Sequence, residues 1–171
     1  MSTSTPASKD PAPPSPARAA LEAELTAWLP TLRALDPARP EAAATLERAL
    51  PFRGPAVERV RALCTQGIAE GWLTPKAGGP KVRFGRLSKD LGGFAVDVVW
   101  MEGQGLGHTH TRGEINLCLD WAGTPRFHEH PPGWVVFAPG SHHVPTVTGG
   151  EMLFVYFTPG GAVVWDPPPV R

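Results

Sequence analysis

Net charge, cysteine and tyrosine are all scarce in this chain of 171 residues. It has two cysteines and one tyrosine, and its 16 Lys+Arg balance its 16 Asp+Glu. This neutrality argues against a nucleic-acid partner, because a phosphate-binding groove needs an excess of basic residues on one face. Cys64 and Cys118 lie far apart without CxxC spacing, so we expect a reducing, cytoplasmic setting.

Long apolar runs are also missing. No run reaches the roughly 18 apolar residues of a membrane span, so no membrane partner is expected. The first residues lack the apolar stretch of a secretory signal. A winged helix-turn-helix over residues 40–87 is disfavoured, because acidic and basic residues nearly balance over residues 39–73.

Residues 1–75 divide into a tail and a helical segment. Residues 1–16 hold five prolines, which predicts a disordered tail. Residues 17–75 show helical periodicity, and the first helix has an apolar stripe formed by Leu21, Leu25, Trp28, Leu32 and Leu35. Pro30 within this stripe is expected to kink or divide the helix. Two further helices are predicted to open at Pro40 and Pro55.

Residues 76–171 differ from the helical segment in composition and spacing. Short runs rich in valine, phenylalanine, tryptophan and leucine are separated by clusters of glycine and proline, which number 19 and 21 in the chain. The runs cover residues 81–87, 94–101, 114–121, 134–138 and 152–158. This spacing predicts an antiparallel barrel or sandwich, and hence a mainly β protein with an N-terminal helical extension.

All six histidines fall between residues 108 and 143. His108 and His110 project from the same face of an extended strand, and Glu114 keeps that parity if Gly113 allows a bend. Two imidazoles and a carboxylate suit one divalent ion such as Fe, Mn, Zn or Ni. His142 or His143 is the candidate fourth ligand, and only one of two adjacent strand residues can face inward.

The pattern H-x-H-x3-E, followed by G-x5-P-G-S-H-H, resembles the two signature motifs of the cupin superfamily. This resemblance covers about residues 80–165 and implies a small jelly-roll β-barrel that holds one metal through three histidines and a glutamate. Alignment on Gly133 and Gly140 selects His143 as the third histidine. Pro139 stands one place later than the usual proline, which keeps His142 as the competing choice.

Longer blocks resemble the 4-hydroxylaminobenzoate lyases of nitroaromatic degradation. They are GHTH-x2-GEI, HPPGWVVF-x-PGS-x-HVPTV-x-GG and YF-x-PGGA-x-x-W. This resemblance implies conversion of 4-hydroxylaminobenzoate to 3,4-dihydroxybenzoate with release of ammonia. The expected partner is therefore a small aromatic acid, and we also expect a homodimer.

Several residues are candidates for handling such a substrate. Glu114, His143 and His130 are candidates for proton transfer. Arg112 or Arg126 could clamp a carboxylate with a bidentate fork. Trp134 and Tyr156 are first of all expected in the barrel wall, with an aryl slot as their functional alternative.

Two other classes of protein remain compatible with the motifs. One is a different metal-dependent cupin enzyme, a dioxygenase or isomerase acting on an aromatic or keto acid. The other is a non-catalytic cupin that binds a small molecule. Release of ammonia without uptake of oxygen separates a lyase from both.

Overall fold

The computed structural model describes residues 14–168, in which three helices precede nine strands. The helices are α1 (Pro16–Ala34), α2 (Ala42–Ala49) and α3 (Pro55–Ala69). The strands are β1 (Lys76–Gly79), β2 (Val82–Leu91), β3 (Phe94–Gln104), β4 (His108–His110), β5 (Glu114–Phe127), β6 (Gly133–Phe137), β7 (Ser141–His143), β8 (Thr146–Pro159) and β9 (Val163–Trp165).

The first helix begins and continues differently from its prediction. Ser15 caps α1 by accepting a hydrogen bond from the Ala17 amide, and Pro16 occupies the first turn, where its missing N–H is not needed. Ser15 and Pro16 therefore belong to the helical segment, and residues 1–13 of the predicted tail lie outside the described residues. Pro30 does not divide the helix, because buried Leu25, Trp28 and Leu32 hold both sides of it against the core.

The strands form two antiparallel sheets. The six-stranded sheet has the order β1-β2-β3-β8-β5-β6, and the three-stranded sheet has the order β7-β4-β9. The prediction of a mainly β fold with an N-terminal helical extension is confirmed. The sheets do not join into one continuous hydrogen-bonded barrel, but their arrangement is consistent with a cupin jelly roll.

Side chains on the central strands alternate between two different environments. On β3, Val96 and Val98 pack in the cluster that includes the helices, whereas Val99 and Met101 belong to a second cluster on the opposite face. The strands β5 and β8 alternate in the same way. Burial of both faces explains why these strands read as nearly continuous apolar runs.

Trp134 belongs to the face covered by helices. Its ring meets Trp28 edge to face at 5.8 Å between centroids, and its indole N–H donates to the Leu50 carbonyl at 2.8 Å. Its neighbours Val135 and Phe137 point to the opposite face. Trp134 therefore lies in the core, the first place expected for it, and its proposed role as a substrate contact in an aryl slot is wrong, because this side chain joins the helices to the sheet.

The helices in the described part of the chain do not combine the length and apolar character that a membrane span needs. None contains an 18-residue window that is apolar enough to cross a membrane.

Replacement of Trp134 by Phe should lower the free energy of unfolding by about 1–3 kcal/mol, because it removes the buried hydrogen bond to Leu50 and part of the contact with Trp28. Trp165, whose exposed fraction is 58%, provides the matched control, and its replacement by Phe should change stability by less than about 0.5 kcal/mol. Urea unfolding measures both values. Equal losses would contradict the assignment of Trp134 to the core.

Candidate functional site

The register of the small sheet brings three histidines together. On β4 and β7, His108 pairs with His143 and His110 pairs with Ser141. After β4 the chain turns through Gly113, whose φ is 83° and where a Cβ atom would lie 2.8 Å from the Phe137 carbonyl oxygen. Glycine meets this requirement without strain, and the turn returns Glu114 to the side of His110, as the sequence predicted.

The Nε2 atoms of the three imidazoles converge on one point. They are 3.0 Å apart between His108 and His110, 3.1 Å between His110 and His143, and 3.2 Å between His143 and His108. His108 and His110 are buried, and His143 is half-buried. Three nitrogens of this kind cannot satisfy one another by hydrogen bonds alone, because a neutral imidazole has one donor and one acceptor nitrogen.

The second nitrogen of each ring faces a different partner. His108 Nδ1 lies 2.8 Å from the Leu106 carbonyl oxygen, which can only accept, so Nδ1 carries the proton and Nε2 keeps its lone pair. His143 Nδ1 lies 2.9 Å from His128 Nε2. His110 Nδ1 lies 3.1 Å from Glu114 Oε2. Outer contacts of this type orient histidines that bind metal.

The environment keeps the three rings neutral. Burial lowers the pKa of His110 to about 4, with a smaller contribution from His108. Burial, followed by the neighbouring histidines, lowers the pKa of His143 to about 3. Burial also lowers the pKa of His108. At neutral pH the cluster therefore offers lone pairs rather than positive charge, as a cation requires.

The cluster fits a divalent transition-metal ion. Nitrogens about 2.1 Å from one ion are separated by roughly 3.0–3.4 Å when they occupy adjacent coordination positions, which matches the observed distances of 3.0–3.2 Å. Among the described residues, His108, His110 and His143 are the group close enough to share an ion. Imidazole donors suit Zn, Fe and Ni.

Glu114 lies behind His110 instead of at the point of convergence. Its Oε2 is near Nδ1 of His110 but out of line for a hydrogen bond, so this buried nitrogen has no hydrogen-bond partner among residues 14–168. The predicted set of four ligands is thus corrected to three histidines. Burial raises the pKa of Glu114 to about 8, although Asn116 and Thr158 partly oppose the shift.

The structure places the other three histidines differently relative to the cluster. His142 is exposed and pairs with Asp166 at 2.9 Å, so His143 is the member of this pair in the cluster. His130, predicted to be catalytic, is exposed beyond the end of β5, and the structure does not bring it to the cluster. Its neighbour His128 contacts His143 instead and has a φ of 51°, which is uncommon for a residue other than glycine. The spacing H-x-H marked both residues but did not choose between them.

A cavity of about 760 Å³ adjoins the histidine cluster through His108 and Glu114. Tyr156, a predicted substrate contact, lines it. The predicted carboxylate clamps do not: Arg112 is exposed, and Arg126 is exposed with its Nη1 donating to the Glu129 carbonyl. Arg86 lines the cavity instead. Its period-two spacing from Val82 and Phe84 on β2 was the signal that could have found it.

Comparisons with known proteins agree on one family. The family model described as PnbB, 4-hydroxylaminobenzoate lyase, matches residues 31–165. The 4-hydroxylaminobenzoate lyase of Nocardioides sp. (strain LMS-CY) is 29% identical over 129 residues, covering 64% of this chain and 72% of that one. The lyase of the same name from Pseudomonas putida is 29% identical over 137 residues, with coverages of 64% and 73%.

A solved structure resembles the fold over most of this chain. The DMSP lyase DddQ from Ruegeria pomeroyi DSS-3 superposes with a TM-score of 0.51 at 20% sequence identity. The match covers 92% of this chain and 100% of that one. At this identity the likeness concerns the fold alone.

The purified protein should bind about one divalent ion per chain. Replacement of His143 by Ala should weaken binding by more than about 100-fold, because it removes one of three ligands, a larger loss than is typical for outer contacts. His142→Ala is the matched control on the adjacent, outward-facing position and should change affinity less than about threefold. Calorimetric titration with Zn²⁺ and elemental analysis measure both. The reverse ranking would mean that the register of β7 is shifted by one residue.

Proposed function

Because this chain belongs to the 4-hydroxylaminobenzoate lyase family, we propose that it converts 4-hydroxylaminobenzoate and water to 3,4-dihydroxybenzoate and ammonia. The observation that carries the proposal is a buried centre of three neutral histidines that meets the cavity at His108, beside the buried acid Glu114. A cavity of about 760 Å³ is within the size range of small-molecule sites.

The reaction requires an N–O bond to break and a C–N bond to be replaced by C–O. The hydroxyl oxygen accepts a proton and leaves as water, taking the N–O electron pair and making the ring electrophilic. One water adds at the ring carbon next to the carbon that bears nitrogen. A second water adds to the resulting C=N carbon, ammonia leaves, and loss of the ring proton restores aromaticity. One water is consumed overall, and no external oxidant is needed.

His108, His110 and His143 would hold a divalent metal ion at the histidine cluster. If a divalent ion is bound there, these residues would hold it where it would supply Lewis-acid polarisation of an oxygen atom. His128 accepts a hydrogen bond from Nδ1 of His143 when the Nε2 of His143 faces the centre, and so fixes the orientation of that ring. We therefore assign a positioning role to His128 in place of the role predicted for His130.

We assign the proton transfer to Glu114. It lines the cavity, is only 4% exposed and lies 3.5 Å from the Thr158 hydroxyl. A carboxyl group in such a site can donate a proton to the departing hydroxyl oxygen. The apolar walls formed by Val82, Phe84 and Val99 would shield the electrophilic ring from uncontrolled attack by bulk water.

The direct test is incubation of the metal-loaded protein with 4-hydroxylaminobenzoate in a sealed, oxygen-free cell. We expect one ammonia and one 3,4-dihydroxybenzoate for each substrate consumed. Turnover that depends on oxygen would instead identify a dioxygenase. Binding without turnover would identify a protein that only binds the aromatic acid.

Replacement of Glu114 by Gln should lower kcat by about 10²- to 10⁴-fold, because the amide keeps the shape of the side chain but cannot act as an acid. Glu102, a carboxylate that lines the same cavity and pairs with Lys81, offers the matched control. Glu102→Gln should change kcat by less than about threefold. Steady-state kinetics compare the two variants, and equal kcat values would rule out proton transfer by Glu114.

A further inference from the structure

A row of polar side chains crosses the inner face of the six-stranded sheet, which is the face opposite the helices. Strand pairing places Arg86 opposite Asp97, Asp97 opposite Tyr156, and Tyr156 opposite Asn116. The first three of these residues line the cavity. Their neighbours on the same face, such as Val99 and Phe154, are apolar. Arg86 therefore lies at the β2 end of this row, and Asn116 lies at its other end on β5.

The guanidinium group of Arg86 is held by one edge only. Its Nε donates to Asp97 Oδ1 at 2.8 Å and its Nη2 donates to Oδ2 at 2.9 Å. Nη1 has no hydrogen-bond partner among residues 14–168, so the Nη1–Nη2 edge retains two parallel donors. Asp97 is mostly buried, with 14% of its side chain exposed, whereas 51% of the Arg86 side chain is exposed. This is the geometry in which a fixed fork can bind a second carboxylate.

The other basic residue that lines the cavity is less suited to this role. Lys81 has 60% of its side chain exposed and already pairs with Glu102 at 2.8 Å. A lysine also offers a point charge without the planar fork that matches a carboxylate. Among the basic side chains of the cavity, Arg86 is thus the one with an oriented and unused pair of donors.

We propose that Arg86 is the specificity-determining residue of the cavity, and that its free Nη1–Nη2 edge binds the carboxylate of the aromatic substrate. Asp97 is the positioning residue that fixes the guanidinium plane. The inference rests on the proposed function for the identity of the substrate. It adds a site for the carboxylate that the predicted residues Arg112 and Arg126 do not provide.

The placement of Arg86 also sets the direction of the substrate. Two strands, β3 and β8, lie between Arg86 on β2 and Glu114 on β5. With about 4.8 Å between adjacent strands, three steps separate the backbones of β2 and β5 by about 14 Å. A para-substituted ring across this face would hold its carboxylate at Arg86 and direct its nitrogen substituent toward Glu114 and His108. The preferred ligands are therefore para-substituted benzoates rather than their neutral amides.

The test compares binding of 4-aminobenzoate and 4-aminobenzamide to the metal-loaded protein by calorimetry. Replacement of Arg86 by Gln should weaken binding of the benzoate by about 10- to 100-fold and should change binding of the amide by less than about threefold. Arg86→Lys should recover part of the loss, because it restores charge without the fork. Lys81→Gln is the matched control and should leave both affinities unchanged. Circular dichroism and Tm verify that each variant is folded.

Several results would overturn the proposal. They are failure of the wild type to prefer the benzoate, an equal loss for both ligands in Arg86→Gln, or a larger loss in Lys81→Gln. If Arg86→Gln does not fold, the comparison of Arg86→Lys with the wild type decides, since an unchanged preference contradicts a role for the fork. Wild-type preference for the benzoate without ammonia release from 4-hydroxylaminobenzoate would refute the proposed reaction and leave the role of Arg86 intact.

Discussion

The antiparallel pairing of His108 with His143 is the constraint on which the site depends. It sets two imidazoles side by side on neighbouring strands, with their rings meeting edge to face, and the two-residue repeat of β4 adds His110 on the same side. Three Nε2 atoms within 3.2 Å of one another place their lone pairs in a small, largely buried volume. Burial that keeps these rings neutral is unfavourable for three unpartnered acceptors, and a shared cation would relieve this conflict.

The rest of the fold gives this centre its surroundings. Helices cover one face of the six-stranded sheet, so its other face is free to form the cavity while both faces remain buried. Polar groups on the inner face are few, and two of them have clear partners: Asp97 pairs with Arg86, and Asn116 donates to the Val135 carbonyl. Such partners limit the energetic penalty of burial, which allows a narrow polar row to cross an otherwise apolar wall.

Strand parity explains both what the sequence predicted and what it missed. Parity alone placed His108, His110 and Glu114 together, and the conformational freedom of glycine predicted the turn at Gly113. Parity does not tell which face of a strand points inward, so it left His142 and His143 open and did not decide between the core and an aryl slot for Trp134. The spacing of Arg86 from Val82 and Phe84 could have placed it on their face of β2, but its ion pair with Asp97 depends on the pairing of β2 with β3, which spacing within one strand does not reveal. Tertiary packing around Leu25 and Leu32 likewise overrides the local preference of Pro30 to end a helix.

The claim that three histidines share one ion is tested most directly by X-ray absorption at the zinc edge of the zinc-loaded protein. We expect three imidazole ligands at about 2.0–2.1 Å, with any remaining scatterers being light atoms such as oxygen. The spectrum of the His143→Ala variant should lose one imidazole contribution, whereas that of His142→Ala should match the wild type. A wild-type spectrum with two or fewer imidazoles, or one containing sulfur, would contradict the three-histidine centre.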